Sequence, residues 1–349
     1  MTNRIHICGA ADGEMQAIER VLTSCGEAYT YATYAGTRVT PAAAYHADCT
    51  WQNPCPGKLW DEIIAVECMP TYATAYIDHH RLGDSGYGVP PEEFLRGSSL
   101  GQVIAELARY DVLQWPIGPL MCAVPPGRLE AHHHQGNMQD PYISFVTTSR
   151  VVPGWPDSYV TRVIPHELVL TAAADHCLGH AYAGRCPGID PDELLRHRVA
   201  QKVAFRAPCH AGPYVSADSI LADIEAARQA LLSAPTLVLM EWQCPWHEGG
   251  HSRSSDDCCN ALGTEYADEP CERIAVADMR GRHVPELPEA GTRYGIPYIA
   301  DGLPDADGRV KIVCSGSADT IRAFFGWAAR EGLTDAYGDP ERGFAGAYR

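Results

Sequence analysis

Basic residues are in short supply in this 349-residue chain: 27 Lys and Arg stand against 44 Asp and Glu, a formal net charge of −17. Non-specific affinity for long DNA or RNA comes from Lys and Arg that displace counterions from many phosphates, so long nucleic acid is not an expected partner, although a local basic groove stays open. Long hydrophobic runs are missing too. A membrane-spanning helix takes about 20 apolar residues, and no segment approaches that, so no membrane association is expected. Met1-Thr2-Asn3-Arg4-Ile5-His6 lacks the apolar stretch and small-residue site of a secretory leader, which points to a cytoplasmic protein. There is no internal repeat and no low-complexity tract. What remains is ordinary globular composition, 46% hydrophobic and 20% charged, with enough apolar material for a real core. The length suggests two domains of about 150 residues each. The 14 Cys are scattered along a chain large enough to build a core without disulfides, so most read as small buried hydrophobes and some as metal ligands.

Alternating β-rich and helix-periodic segments define the architecture. Arg4 to Ala10 reads as a strand, Gly13 to Leu22 as a helix and Glu27 to Ala35 as a second strand; a loop follows between Pro41 and Gly57. Asp61 to Cys68 and Thr74 to His80 read as buried strands ending in polar residues. Ser98-Ser99 caps a helix whose apolar positions are Leu100, Val103, Ile104 and Leu107. This is the pattern of an α/β fold, a mainly parallel sheet with flanking helices. The expected domains are 1–206, with a Pro-, Gly- and His-rich insertion at about 111–163, and a smaller α+β domain at 216–349 carrying a Cys/His-rich loop at 242–271. Helices are expected at Thr171 to Tyr182, Pro191 to Gln201, Ser216 to Ser233 and Ala318 to Arg330, and a strand at Val310 to Cys314.

Open α/β sheets bind ligands beyond the carboxyl ends of their strands, and the chemistry-bearing residues fall there. They are Cys8-x3-Asp12-Gly13-Glu14, Glu67, Asp78-His79-His80 and Asp175-His176. Carboxylates and imidazoles gathered at one sheet edge repel or lose charge unless a cation sits among them. Two divalent ions a few ångströms apart can activate water and stabilise a departing oxygen in phosphoryl chemistry. Taken singly, each residue has a plainer reading as a helix cap, a core thiol or an exposed carboxylate.

The set resembles the DHH phosphoesterase superfamily, whose motifs are His-x3-Asp-Gly-Asp, an aspartate at a strand end, an Asp-His-His strand end and a later aspartate. Here they become Cys8-x3-Asp12-Gly13-Glu14, Glu67, Asp78-His79-His80 and Asp175, followed after Asp-His-His by a Ser-rich helix start at Ser98-Ser99. The resemblance covers roughly residues 4 to 110 and 165 to 190. It implies metals held by Asp12, Glu14, Glu67, His79 and Asp175, with Cys8 as a further ligand and Glu67 bridging. Asp78 would orient an imidazole, and His80 would face the scissile phosphate. The family's usual metal is manganese; Cys8 in place of histidine tilts the preference towards zinc, and Glu for Asp at 14 and 67 reshapes the site by one methylene. The expected activity is hydrolysis of a small phosphate ester, nucleotide or short oligonucleotide. Different metal-dependent nucleotide chemistry, or a non-catalytic nucleotide- or protein-binding role, are the alternatives, and homo-oligomers are compatible with each.

Two further groups stand apart. Tyr337 to Gly346 weakly resembles the family's Gly-rich substrate segment, without its histidine, so Arg342 and Gly343 are candidate substrate contacts and a solvated loop is the alternative. Cys244, His247, His251, Cys258 and Cys259, with Cys271 beyond, could hold a structural zinc ion or be unligated loop residues. His132-His133-His134 reads as an exposed run.

Overall fold

The computed structural model describes residues 3–41, 43–109, 123–124, 142–148, 159–206, 215–240, 273–305 and 307–349, in two compact units, Met1–Ile220 and Leu221–Arg349. The architecture is α/β with two principal sheets, one of them mostly parallel. In the first unit, β1 (Arg4–Cys8) leads into α1 (Gly13–Ser24) and β2 (Ala28–Tyr34). The short β3 (Thr37–Arg38) and β4 (Thr50–Trp51) follow, then β5 (Glu62–Val66) and β6 (Ala75–Ile77). The sheet order is β3-β2-β1-β5-β6, with β4 also paired to β2; β2, β1, β5 and β6 run parallel.

The register places the strand ends together. Cys8 pairs with Val66, and Val66 with Ile77, so β1, β5 and β6 finish at one edge and the chain leaves all three there. Both polar strand ends of the sequence reading therefore lie just outside the strands: β5 stops before Glu67 and β6 before Asp78.

Helices α2 (Phe94–Gly97), α3 (Ser99–Arg109), α4 (His166–Tyr182) and α5 (Pro191–Arg206) complete the first unit. Ser98 caps α3 as its position suggests, its Oγ accepting from the Gly101 amide at 3.0 Å. Leu100, Val103, Ile104 and Leu107 are at most 1% exposed and pack with Met15, Ile18 and Leu22 of α1 and Leu168 to Ala174 of α4. Each such side chain contributes about 1.5–3 kcal/mol by leaving water, so this seam fixes how α1, α3 and α4 meet. Helix α4 begins at His166, earlier than the expected Thr171, and is broken at Cys177 (φ −151°, ψ 49°), directly after Asp175-His176.

The stretch read as an aperiodic insertion contains strands β7 (Ala123–Val124), β8 (Tyr142–Thr148) and β9 (Tyr159–Pro165) in an antiparallel sheet ordered β7-β9-β8. The β-branched residues of Tyr159-Val160-Thr161-Arg162-Val163-Ile164 carried that signal, obscured by the surrounding Pro and Gly.

Helix α6 (Ala217–Leu232) spans the division between the units. The second unit holds β10 (Thr236–Met240), β11 (Arg273–Asp278), α7 (Leu287–Tyr294), β12 (Tyr298–Pro304), β13 (Val310–Ser315), α8 (Ala318–Arg330), β14 (Thr334–Asp339) and β15 (Phe344–Tyr348). Its sheet, β10-β11-β12-β13-β15-β14, is antiparallel except at β11-β12. Phe324 and Trp327 of α8 pack on its Ile299, Ile312 and Ala345. No disulfide links the described cysteines, and Cys8, Cys49, Cys68, Cys177, Cys186 and Cys314 are buried. No helix among the described residues is long and apolar enough to cross a membrane.

Candidate metal centre

Four side chains converge beyond the strand ends. Glu14 from the first turn of α1, Glu67 after β5, His79 after β6 and Asp175 on α4 each bring one ligand-type atom within 4.8 Å of the others. Glu14 is 3% exposed, Glu67 7% and His79 0%, so the cluster is largely cut off from water. His79 Nε2 lies 2.9 Å from Asp175 Oδ2 and 3.4 Å from Glu67 Oε1. A second group, Glu67, His79 and His80, meets the same distance limit and shares two members with the first. These residues are of the types and arrangement that hold a divalent cation.

Local sequence explains each placement. Asp12 caps α1, its Oδ1 accepting from the Met15 amide at 2.7 Å, and this cap sets the helix start that carries Glu14. The first amides of α3 are orphan donors, and Leu100 N–H donates to Glu14 Oε1 at 2.9 Å. Glu67 adopts a left-handed backbone, φ +51°, which costs a non-glycine residue on the order of 1–3 kcal/mol and recurs at functional sites. Gly9 runs so close beneath that a Cβ there would lie 2.4 Å from the Glu67 carbonyl oxygen.

Asp78 is a hub rather than a member of the cluster. Its Oδ1 accepts from the His79 amide (2.7 Å), the His80 amide (3.0 Å) and His80 Nδ1 (2.8 Å), while Oδ2 accepts from the Tyr45 hydroxyl at 2.8 Å. Burial would raise its pKa, but the His80 and Tyr45 contacts outweigh burial and hold it at about 2. An ionised carboxylate only accepts, so Nδ1 of His80 carries the proton and Nε2 is left for other use.

The carboxylates of the cluster cannot all stay charged unless something neutralises them. Two carboxylates whose oxygens lie within 4.8 Å of one another repel by at least about 3 kcal/mol at an effective dielectric constant of about 20, and three such groups meet here. Burial, then Asp175 and Glu67, drives the Glu14 pKa well above the usual carboxylate range; burial, then the same two carboxylates, raises Asp12 to about 7. Glu67 is displaced the other way, because contact with His79 and the charge of His80 outweigh its burial. Glu14 Oε2 and Glu67 Oε1 are buried and accept no hydrogen bond among the described residues. Protons or a cation must therefore neutralise the site, and the oxygen-rich donor set with one imidazole fits a hard or borderline divalent ion.

Asp12 and Cys8 fall outside both groups. The Asp12 carboxylate is engaged by its helix, and it lines a cavity of about 230 Å³ with Gly13, Glu14, Thr171, Ala174, Asp175, Arg198 and Gln201. Cys8 packs in the hydrophobic core, where burial first and the Glu19 charge next push its thiol up to about 12. Arg342 and Gly343 belong to the second unit: Arg342 ends a 3-10 turn (Pro340–Arg342), and Gly343 takes φ +70° against the Gly316 carbonyl. Cys244, His247, His251, Cys258, Cys259 and Cys271 lie outside the described residues, as does His132-His133-His134. Tyr45, Arg198 and Gln201 are site neighbours that carried no local sequence signal, since nothing within a few residues of them is motif-like. Comparison of the chain with family models, with curated proteins and with solved structures finds no match.

The raised carboxyls set a pH dependence. A carboxyl whose folded pKa exceeds its unfolded value binds more protons in the native state, so stability falls as pH rises between the two values. For Asp12 that window runs from the ordinary 3.8 to about 7, and the raised Glu14 carboxyl acts in the same sense above its own ordinary value. His6 and His197, each lowered from 6.5 to about 4 by burial, act in the opposite sense but only between those values. Thermal melts in EDTA are therefore expected to show the carboxyl contribution being lost as pH rises to about 7, most plainly above pH 6.5 where the two histidines no longer oppose it, with the loss removed by Mn2+. A melting temperature without cation that holds level or rises over this range contradicts the assignment.

Proposed function

We propose that the chain is a divergent metal-dependent phosphoesterase of DHH type that hydrolyses a small phosphate ester, a nucleotide or a short oligonucleotide. The convergence of Glu14, Glu67, His79 and Asp175 within 4.8 Å supports this reading. Residues from four separate stretches of sequence meet at the ligand-binding edge of a parallel sheet, in the order of the family's motifs. Manganese is the favoured metal, because carboxylate oxygens dominate the cluster and the softer Cys8 is not part of it. A divalent cation there supplies charge stabilisation to phosphoryl oxygens and acidifies water.

The remaining roles belong to the chain's own groups. Glu67 and His79 occur in both candidate ligand groups, and of the two only the carboxylate has a second oxygen to offer, so Glu67 would be the ligand shared between two ions. Asp78 holds the Nδ1 proton of His80 and so fixes that ring, leaving Nε2 to face the scissile phosphate. Arg198 is the cation among the residues lining the adjoining cavity, and its guanidinium fits a phosphate oxygen pair.

Hydrolysis of nucleoside monophosphates and short oligonucleotides, assayed with Mn2+ and with EDTA, tests the proposal. Turnover that depends on added Mn2+ is expected; bound nucleotide with no turnover under any metal would replace the enzyme by a binding module. Arg198→Ala is expected to lower kcat/KM by roughly 10- to 100-fold, as for a lost charged hydrogen bond, while leaving Mn2+ affinity unchanged.

A further inference from the structure

His79 has a neighbour that the cluster itself does not need. His176, 1% exposed, lies on α4 one residue beyond Asp175, and its Nδ1 is 3.3 Å from His79 Nδ1. Its other nitrogen, Nε2, is 2.9 Å from the backbone carbonyl oxygen of Val89. The two rings stack, with centroids 5.5 Å apart and planes 29° from parallel.

Hydrogen-bond chemistry gives this row a direction. A carbonyl oxygen can only accept, so His176 Nε2 carries a proton. A neutral imidazole protonated there has a lone pair on Nδ1, and Nδ1 of His79 must donate to it. With its proton on Nδ1, a neutral His79 turns the lone pair of Nε2 towards Asp175 Oδ2 at 2.9 Å and Glu67 Oε1 at 3.4 Å. A lone pair facing two carboxylates is unfavourable in a buried site unless a second proton or a metal cation lies between them. Packing seats the ring and its hydrogen bonds set its orientation: the His176 ring lies against Gly97, where a Cβ would come within 2.3 Å of Cε1, and turning it over would break the contacts to the Val89 carbonyl and His79.

We infer that the row Val89 carbonyl–His176–His79 is a tautomer-setting device, in which His176 is a positioning residue that presents His79 Nε2 to a divalent cation. The inference rests on the metal-centre reading, but it makes a separate claim about proton placement. Partners beyond the ligands commonly tune metal affinity in this way; here the partner is a second imidazole anchored to backbone.

Nitrogen-15 NMR of the full chain tests the row in two states, with EDTA and with Zn2+ as a diamagnetic probe. The expected result in both is a proton on His79 Nδ1, with coupling across the hydrogen bond to an unprotonated His176 Nδ1. An unprotonated His79 Nδ1, or a proton residing on His176 Nδ1, overturns the inference whether or not metal binds. Calorimetric titration with Mn2+ gives the second readout. His176→Ala and His176→Phe are expected to weaken Mn2+ binding by about 10- to 100-fold. His176→Asn, whose Oδ1 can accept near the former Nδ1, is expected to recover most of the affinity. Equal affinity in wild type, His176→Phe and His176→Asn would show that the ring acts only by packing and would overturn the proposal. If the wild-type protein binds no divalent ion, the phosphoesterase reading fails, and the NMR result alone decides the proton placement.

Discussion

Asp175→Asn is expected to remove divalent-cation binding at the strand-end cluster and to lower phosphate-ester turnover by about a thousandfold. Lewis-acid stabilisation is worth several kcal/mol of transition-state energy, and about 4 kcal/mol corresponds to three decades in rate. Asparagine preserves the shape of the side chain and can still meet His79, whose Nε2 lies 2.9 Å from Asp175 Oδ2, so the fold should persist while the charge is lost. His79→Ala is expected to act alike, and Tyr45→Phe far more weakly, because Tyr45 reaches Glu67 and His79 only through Asp78 and His80. Steady-state assays with Mn2+, paired with calorimetric titration of the ion, check the series. Turnover retained in Asp175→Asn at wild-type Mn2+ affinity would move the chemistry elsewhere.

Glu14→Gln is expected to separate stability from function in opposite directions. Glu14 is 3% exposed and its pKa is driven up by burial and by Asp175 and Glu67. Its Oε1 accepts from the Leu100 amide, whereas Oε2 accepts no hydrogen bond among the described residues. Glutamine can keep the first contact and offer an N–H to the facing carboxylates. Relief of one carboxylate repulsion is worth about 3 kcal/mol. At roughly 2–4 °C per kcal/mol for a unit of this size, the metal-free variant should melt up to about 6–12 °C higher than wild type at a pH where Glu14 is ionised. Excess Mn2+ should reverse the order. A ligand at about 1,000 times its Kd stabilises the protein it binds by about 4 kcal/mol, and the variant has lost a ligand oxygen. The sign of each difference carries the test. A metal-free variant less stable than wild type would mean that Glu14 is satisfied as a structural carboxylate.

Much of this arrangement was legible in the sequence, for identifiable reasons. Helix α1 announces itself through apolar spacing and α3 through apolar spacing with the capping Ser98, whereas Asp12 as the cap of α1 emerges only in the structure. The strand ends were legible because short apolar runs stop at charged residues, and parallel pairing brings Cys8, Val66 and Ile77 level. Long-range placement was not legible. Asp12 follows Cys8 at motif spacing, yet its carboxylate is engaged by its helix amide, while Cys8 packs into the core. Glu67 lies outside β5 in a left-handed conformation that no residue pattern announces. His176 was visible as the neighbour of Asp175, but its pairing with His79 across 97 positions depends on the packing of α4. Strands β8 and β9 escaped a period-based reading because Pro- and Gly-rich text surrounds them.

Three carboxylates and one imidazole gather where a divalent ion would be held. Diffraction from crystals grown with Mn2+, collected on both sides of the manganese absorption edge, measures that directly. An anomalous peak is expected within about 2.5 Å of oxygens of Glu14, Glu67 and Asp175 and of Nε2 of His79. Ordered manganese found only elsewhere, or a cluster closed by carboxyl protons with no ion at saturating Mn2+, would contradict it.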